Sequence, residues 1–213
     1  MTTILLIRHG HSVTNQKGIF TGQTDVPLSG IGLEQAALTA RFVADNYAVD
    51  AVYSSDLMRA MQTAEKLGEL IGKPVIKDVA LREIHGGDWE GKNVDDIARE
   101  YPGTYFLWKN DIGGCTPPNG ESVGNLQKRA EEAVYKIAHE NDGKTVAIFT
   151  HACFIRSLQC LYSGLPLSEM KSLKWVPNAS VTEVGFCGKN AELLKVGQAD
   201  HLKSLHTELN AKL

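Results

Sequence analysis

Four consecutive apolar residues near the start of the chain, Ile4 to Ile7, end at the sequence Arg8-His9-Gly10. A short apolar run without polar alternation is typical of a strand covered on both faces, as in a parallel sheet between helices. Ligands in such sheets bind outside the carboxyl ends of the strands. The run therefore predicts an open α/β fold, and it places a guanidinium, an imidazole and a glycine at the edge where a ligand would bind.

Apolar strand-like segments and amphipathic segments alternate along the rest of the chain. Helical spacing of three and four follows Ser29, Asp56 and Pro118. This alternation predicts a three-layer α/β sandwich: a mostly parallel sheet of about six strands, with helices on both faces, in a single domain of residues 1–213. The predicted strands are Thr3–Arg8, Ala51–Ser55, Val75–Leu81, Thr145–His151, Val181–Phe186 and Glu192–Val196.

The segment of residues 84–122 interrupts this rhythm with several glycines, a proline pair and five aromatic residues. A long, partly irregular insertion of this composition is usually a lid or a binding excursion. Each aromatic side chain taken alone is expected to be a buried packing group. The five are Trp89, Tyr101, Tyr105, Phe106 and Trp108.

The composition restricts the partners that this chain can have. A formal net charge of −3 argues against nucleic acid or an anionic membrane as the main partner, because both require a basic face. The first apolar segment is too short to span a bilayer and lacks the flanks of a secretory signal. Four cysteines without C-x-x-C spacing predict free thiols. We therefore expect a cytoplasmic protein that acts on a small molecule.

An apolar stripe near the end of the chain consists of Leu202, Leu205 and Leu209. Such a stripe must be covered, either by the chain's own domain or by a second copy. We expect this segment to dock onto its own domain, and a homodimer contact is the alternative.

Two histidines directly follow apolar strands: His9 follows residues 4–7, and His151 follows residues 146–149. The carboxyl ends of parallel strands meet at one edge of a sheet, so we expect the two imidazoles to converge. Three more side chains are predicted at this edge: Arg8, Arg59 in the first turn of a helix, and Glu83 after the third strand.

These five side chains together suit phosphoryl transfer without a metal ion. Neutral His9 could attack phosphorus and form a phosphohistidine. Arg8, Arg59 and a protonated His151 would neutralise charge on the phosphoryl oxygens. Protonated Glu83 could donate a proton to the leaving oxygen and then accept one from water.

Longer motifs surround these residues along the chain: Arg8-His9-Gly10 with Ser12 and Asn15, Phe20 to Ser29, Ser54 to Leu57 with Arg59, Leu81-Arg82-Glu83, Gly87 to Gly91, Gly120-Glu121-Ser122, Thr150-His151 with Ile155-Arg156, and Asn178-Ala179-Ser180. In this order the motifs resemble the histidine phosphatase superfamily, also called phosphoglycerate-mutase-like, and its phosphatases in particular. The resemblance covers nearly the whole chain. It implies a three-layer α/β domain with a mixed sheet, and neither a cofactor nor a metal ion.

The resemblance also implies roles for individual residues. His9 would be the phosphorylated nucleophile and Glu83 the proton donor, with Arg8, Arg59 and His151 forming the phosphate pocket. Additional contacts to phosphate or substrate would come from Asn15, Thr21, Gly22 and Gln23.

Two positions depart from the family's pattern. His11 stands where Glu or Gln is more frequent, and Ala152 stands where Gly usually follows the second histidine. Neither change removes a catalytic group, but the methyl group of Ala152 would narrow the pocket.

Three other functions stay open at this point. The first is a cofactor-dependent phosphoglycerate mutase; the chain is less similar to those enzymes, and its lid sequence offers no extra cations for a bisphosphate. The second is a metal-dependent hydrolase, since His9 and His11 have a ligand spacing, although Arg8 would place a cation beside the metal. The third is a non-catalytic protein that binds phosphorylated ligands, because a fold does not guarantee a function.

Overall fold

Six strands form one sheet in the computed structural model, which describes residues 1–207. The strands are β1 (Thr2–Arg8), β2 (Ala51–Ser54), β3 (Val75–Lys77), β4 (Thr145–Thr150), β5 (Val181–Cys187) and β6 (Asn190–Gln198). Their order across the sheet is β3-β2-β4-β1-β5-β6. The first four are parallel, and β5 is antiparallel to both of its neighbours. The prediction of a mixed, mostly parallel sheet of six strands is confirmed.

The α-helices of the described chain are α1 (Gly30–Asn46), α2 (Met58–Ile71), α3 (Val94–Glu100), α4 (Pro102–Asn110), α5 (Val123–Glu140) and α6 (Ala152–Tyr162). The predicted helix start at Ser29 is confirmed, because its side chain accepts a hydrogen bond from the Gly32 N–H. A cap of this kind pairs an N–H that has no partner within the helix. At the carboxyl end of α2, Gly72 adopts the left-handed conformation with φ 67°, which glycine adopts without steric cost.

The helices cover both faces of the sheet. Leu5 and Ile7 of β1 belong to a buried cluster that contains residues of α1 and α2. Ile4 and Leu6 belong to a second cluster that contains residues of α5 and α6. Successive side chains of a strand point to opposite faces, so these two clusters are the two sides of a three-layer sandwich, as predicted.

Strand β3 is shorter than predicted, ending at Lys77 rather than at Leu81. The Asp78 carboxylate accepts a hydrogen bond of 2.8 Å from the Ala80 N–H, and this contact starts a 3₁₀ helix, Val79–Leu81. An aspartate that binds a backbone N–H two residues on competes with extension of a strand. Glu83 therefore follows a 3₁₀ turn and not the strand itself.

The predicted lid, residues 84–122, contains α3, α4 and the 3₁₀ helices Gly87–Trp89 and Ile112–Gly114. The indoles of Trp89 and Trp108 each contact the Phe20 ring edge-on, with centroids 5.4 Å apart in both pairs. Both tryptophans are buried, whereas Phe106 is exposed. Packing onto the domain is thus confirmed for these two lid aromatics and is wrong for Phe106.

The segment after β6 contains a 3₁₀ helix, Asp200–Leu205. Leu202 is fully buried against Ala179 and Ala199, so docking of this segment is confirmed there, while Leu209 lies outside the described residues. Within residues 1–207, none of the helices is both long and apolar enough to cross a bilayer.

Candidate active site

The candidate site lies at the carboxyl ends of the two central strands. β1 and β4 are parallel neighbours, and Arg8 pairs with Thr150 at their ends. The next residues, His9 and His151, leave the sheet side by side with ring centroids 5.2 Å apart. Both imidazoles are buried. The predicted convergence of these two histidines, which are far apart in sequence, is confirmed.

His9 is held as a neutral imidazole with a defined tautomer. Its Nδ1 lies 2.7 Å from the Gly10 carbonyl oxygen; because a carbonyl only accepts, Nδ1 carries the hydrogen and Nε2 keeps its lone pair. The Arg59 Nε donates to this Nε2 over 3.3 Å. Burial, followed by the charges of Arg59 and Arg8, lowers the pKa of His9 well below its ordinary value. The Nε2 atom is therefore unprotonated, and its lone pair accepts the hydrogen bond from Arg59.

Two buried guanidiniums flank this imidazole. The Arg59 Nη atoms donate to the carbonyl oxygens of Gly22 (2.7 Å) and Thr24 (2.9 Å), and Arg8 Nη1 donates to the Val176 carbonyl oxygen (2.6 Å). Desolvation lowers the pKa of each arginine to about 10, so both stay charged at neutral pH. The Nε of Arg8 is buried and has no hydrogen-bond partner among the described residues. The pair forms a rigid cationic site that suits phosphoryl oxygens.

The carboxyl group of Glu83 lies at the amino end of α6. Its Oε2 accepts from the Cys153 N–H (3.1 Å) and its Oε1 accepts from the Ile84 N–H (2.9 Å). Burial raises the pKa of Glu83 above its usual value, although these N–H groups and the charges of Arg59 and Arg8 oppose the rise. A carboxyl whose proton is retained to higher pH is suited to general acid catalysis.

His151 lies beside His9, with ring centroids 5.2 Å apart. Its Nε2 is 2.9 Å from the Ser55 hydroxyl oxygen, and its Nδ1 is buried without a partner among residues 1–207. Burial, followed by the charge of Arg59, lowers the pKa of His151 well below its ordinary value. Without a bound anion, burial therefore disfavours the protonated His151 that the sequence predicted; a bound phosphate dianion would raise this pKa again.

Arg8, His9, Arg59 and Glu83 line one cleft of about 520 Å³. Four of the predicted substrate-binding residues line it: Asn15, Thr21, Gly22 and Ala152. The rest of the lining combines Arg8, His9, Arg59 and Glu83 with apolar and aromatic side chains, among them Phe20, Trp108 and Trp175. A largely apolar cleft with a few convergent polar groups is typical of a small-molecule site.

Gln23 supports the catalytic loops through backbone contacts. Its side-chain amide donates to the Glu83 carbonyl oxygen over 3.0 Å. The same loop is fixed by Glu90, whose Oε1 accepts from the N–H groups of Gln23 and Gly86, both at 2.9 Å, and whose Oε2 accepts from the Thr24 hydroxyl. These bonds join the loop of residues 21–24 to the lid.

Sequence comparison identifies the family of this site. A model of the histidine phosphatase superfamily (branch 1) matches residues 4–199. The chain belongs to this superfamily. It is 31% identical, over 96% of this chain and 85% of the relative, to an Arabidopsis thaliana protein named metal-independent phosphoserine phosphatase. It is 32% identical to a glucosyl-3-phosphoglycerate phosphatase of Mycolicibacterium vanbaalenii, over 83% of this chain and 81% of that protein.

The fold gives the same result. The solved structure of Bacillus stearothermophilus YhfR superposes with a TM-score of 0.91, at 31% identity, over 95% of this chain and 100% of that chain. The predicted family and fold are confirmed, and this histidine phosphatase is a phosphoric monoester hydrolase.

Two residues that hold the segment around Glu83 were not predicted from the sequence. Arg129 on α5 donates to the carbonyl oxygens of Ala80 (2.7 Å), Arg82 (2.9 Å) and Glu83 (3.3 Å). It also forms a bidentate pair with the Glu121 carboxylate, at 3.0 and 2.8 Å. Glu121 lies in one of the family motifs, so the sequence did mark its position. Arg129 gave no such signal, because an arginine on an amphipathic helix is ordinarily a solvated surface charge.

His11 is one of the two departures from the family's pattern. Its Nδ1 lies 2.9 Å from the Ser29 hydroxyl oxygen, at the amino end of α1. The Nε2 of His9 accepts instead from the Arg59 Nε. In the part of the chain that the structure describes, no group of three or more His, Cys, Asp or Glu side chains is arranged to hold a metal ion.

Proposed function

We propose that this phosphomonoester hydrolase acts on small phosphorylated metabolites, without a metal ion, through a covalent phosphohistidine at His9. One observation carries the proposal: His9, with its Nε2 unprotonated, lines a cleft together with two fixed guanidiniums and a carboxyl group whose pKa is raised. The Arg59 N–H that binds this Nε2 would transfer its hydrogen bond to a phosphoryl oxygen when the substrate binds. These are the nucleophile, the charge stabilisers and the proton donor that a phosphoryl transfer requires.

In the first step, His9 Nε2 forms a bond to phosphorus while the bond from phosphorus to the ester oxygen breaks. The proton of Glu83 passes to the leaving oxygen, so the alcohol departs neutral. Arg8 and Arg59 stabilise the negative charge on the phosphoryl oxygens. Because both are anchored to carbonyl oxygens, little reorganisation is needed during the reaction.

In the second step, water attacks the phosphorus of the phosphohistidine. The Glu83 carboxylate takes a proton from this water, and the bond between phosphorus and Nε2 breaks. Inorganic phosphate leaves, and both His9 and Glu83 return to their starting protonation states. His151, beside the His9 ring, would stabilise the phosphoryl group in both steps.

The substrate would contact the remaining lining of the cleft. Asn15 and Thr21 offer polar groups beside the phosphoryl site, and Gly22 and Ala152 limit its size. Gln23 would act indirectly, by holding the backbone of Glu83. Two relatives are named as phosphatases of small phosphorylated metabolites, which supports hydrolysis rather than the phosphoglycerate mutase reaction.

Hydrolysis of p-nitrophenyl phosphate in the presence of EDTA tests this proposal. We expect turnover by the wild type, loss of turnover in His9→Ala, and near-normal turnover in His11→Ala, which removes the other imidazole of the predicted metal pair. Loss of activity in EDTA, or equal losses in both variants, would favour the metal-dependent hydrolase. Phosphate binding without turnover by the wild type would favour the non-catalytic protein.

A further inference from the structure

A second cavity of about 300 Å³ adjoins the catalytic cleft. The two share the side chains of Trp108 and Trp175, which line both of them. The indoles lie with centroids 6.2 Å apart and are tilted by 30°. Three cations complete the lining together with one isoleucine, so that the second cavity is lined by Trp108, Lys109, Ile112, Arg156, Lys171 and Trp175.

The cation on α6, Arg156, is the most informative of the three. Its side chain is buried, with 6% of the residue exposed. One Nη donates to the Lys171 carbonyl oxygen over 3.2 Å, and the guanidinium lies 4.2 Å from the centre of the Trp175 ring. Its Nε has no hydrogen-bond partner in the described residues. Desolvation lowers the pKa of Arg156, so its charge is held at a cost.

The surroundings of Arg156 do not neutralise that charge. A carbonyl oxygen and an aromatic face carry no formal charge, and among the described residues that line the cavity Lys171 adds a second cation and none is a carboxylate. A buried guanidinium without a counter-ion is costly. Lys109 lies in the lid and Lys171 in the 3₁₀ helix Leu167–Ser172, so chain segments from three parts of the fold bring positive charge to one place.

We propose that this cavity binds a second anionic group of the substrate, a carboxylate or a second phosphoryl group, while the first phosphoryl group is attacked by His9. The atoms between the two anionic groups would pass the indoles of Trp108 and Trp175. A planar oxyanion matches the fork of a guanidinium, and Arg156 lines this cavity. The inference rests on the proposed function, and it narrows the substrate to phosphomonoesters with a second negative charge.

This inference corrects one expectation from the sequence. The lid sequence contains Lys92, Arg99 and Lys109, but it was expected to offer no extra cations for a bisphosphate. The structure adds Arg156 and Lys171 from the region that follows β4, and these residues are distant from the lid along the chain.

Matched substrates that differ only in the charge of their tail test the subsite. The series comprises ω-phosphooxyalkanoates, α,ω-alkanediol bisphosphates and neutral ω-phosphooxyalkanols of increasing chain length. At the length that spans both cavities, we expect kcat/KM to be at least about 10-fold higher for an anionic tail than for the neutral one. The difference should appear mainly in KM. Comparing the carboxylates with the bisphosphates separates the two possible anions.

Substitutions in the cavity lining test whether a preference for anionic tails comes from this cavity. Lys171→Gln and Arg156→Met should reduce kcat/KM for the anionic tail by about 5- to 50-fold and leave the neutral tail within about twofold. Lys174→Gln is the matched control, because Lys174 is an exposed lysine of the same region that does not line the cavity. Melting temperatures monitor folding of Arg156→Met, and the exposed Lys171 keeps the test valid if that variant is unstable.

The following results would overturn the inference. Equal kcat/KM for charged and neutral tails at every length would do so, as would parallel losses for both tails in the variants. If the wild type hydrolyses p-nitrophenyl phosphate but shows no preference for anionic over neutral tails, only the subsite is rejected. A wild type that hydrolyses no phosphomonoester rejects the proposed function, and the subsite with it.

Discussion

Replacing Glu83 by glutamine should separate proton donation from the other contributions to catalysis. The carboxylate accepts two backbone N–H groups, from Ile84 at 2.9 Å and Cys153 at 3.1 Å. A carboxamide has a single acceptor oxygen, so one buried N–H loses its partner. That loss should lower the free energy of unfolding by about 1–3 kcal/mol, which leaves the protein folded if its stability is in the ordinary range.

The catalytic effect of Glu83→Gln should depend on the leaving group. An alkyl phosphate needs a proton on its leaving oxygen, so we expect kcat to fall by about 10²- to 10⁴-fold. p-Nitrophenolate leaves as a stable anion, so formation of the phosphohistidine should be far less affected with that substrate. The second step still needs a base, and phosphoenzyme should therefore accumulate during hydrolysis of p-nitrophenyl phosphate.

The pH profile gives an independent reading of the same residue. Because burial raises the pKa of Glu83, the protonated acid persists above its usual range and is lost as the pH rises through the raised value. The lowered pKa of His9 keeps the nucleophile neutral over that range. Alkyl phosphate hydrolysis by the wild type should thus decline towards high pH. In Glu83→Gln this decline should disappear.

The reasoning about Glu83 would be refuted if Glu83→Gln lost as much kcat/KM for aryl as for alkyl phosphates, because kcat/KM reports only the steps up to formation of the phosphohistidine. It would also be refuted by a wild-type rate that stays constant up to pH 9, since the acid would then play no part in the rate-limiting step.

Two further predictions concern positions that support the site. A Cβ at Gly32 would lie 2.0 Å from the His11 carbonyl oxygen, whereas a Cβ at Gly30 would have nothing within 4 Å. In denaturant titrations, Gly32→Ala should lower the free energy of unfolding by about 1–3 kcal/mol, and Gly30→Ala should leave it unchanged or raise it. Equal effects of the two substitutions would contradict this packing. Arg129→Met should lower kcat about 10- to 100-fold, because it releases the loop that carries Glu83. The control Lys128→Met, at an exposed neighbouring position, should change kcat less than about twofold. Unchanged kcat in Arg129→Met would show that the loop needs no such support.

Local patterns in the sequence predicted the parts of the structure that local forces determine. The apolar runs gave the central strands, and the cap at Ser29 gave the start of α1. The convergence of His9 and His151 followed from one general rule, since both leave neighbouring parallel strands at the same edge. The five predicted catalytic residues accordingly lie around one cleft or directly behind it.

Features that the apolar pattern does not contain could not be predicted. The end of β3 was misplaced because the Asp78 side chain binds a nearby N–H. Other features depend on packing between distant segments: a Cβ at Gly10 would lie 2.6 Å from the backbone oxygen of Gly32 in α1. The charge state of His151 likewise depends on cations that only the folded chain brings near it.

The most direct test of this account is to trap the covalent intermediate. The wild type and Glu83→Gln would be mixed with p-nitrophenyl phosphate, quenched in alkali within milliseconds, and analysed by intact mass and by peptide mapping. The account predicts one added phosphoryl group on the peptide that contains His9, in greater amount in Glu83→Gln, and none in His9→Ala. Multiple turnovers without phosphate on His9, or with phosphate on a different residue, would contradict it.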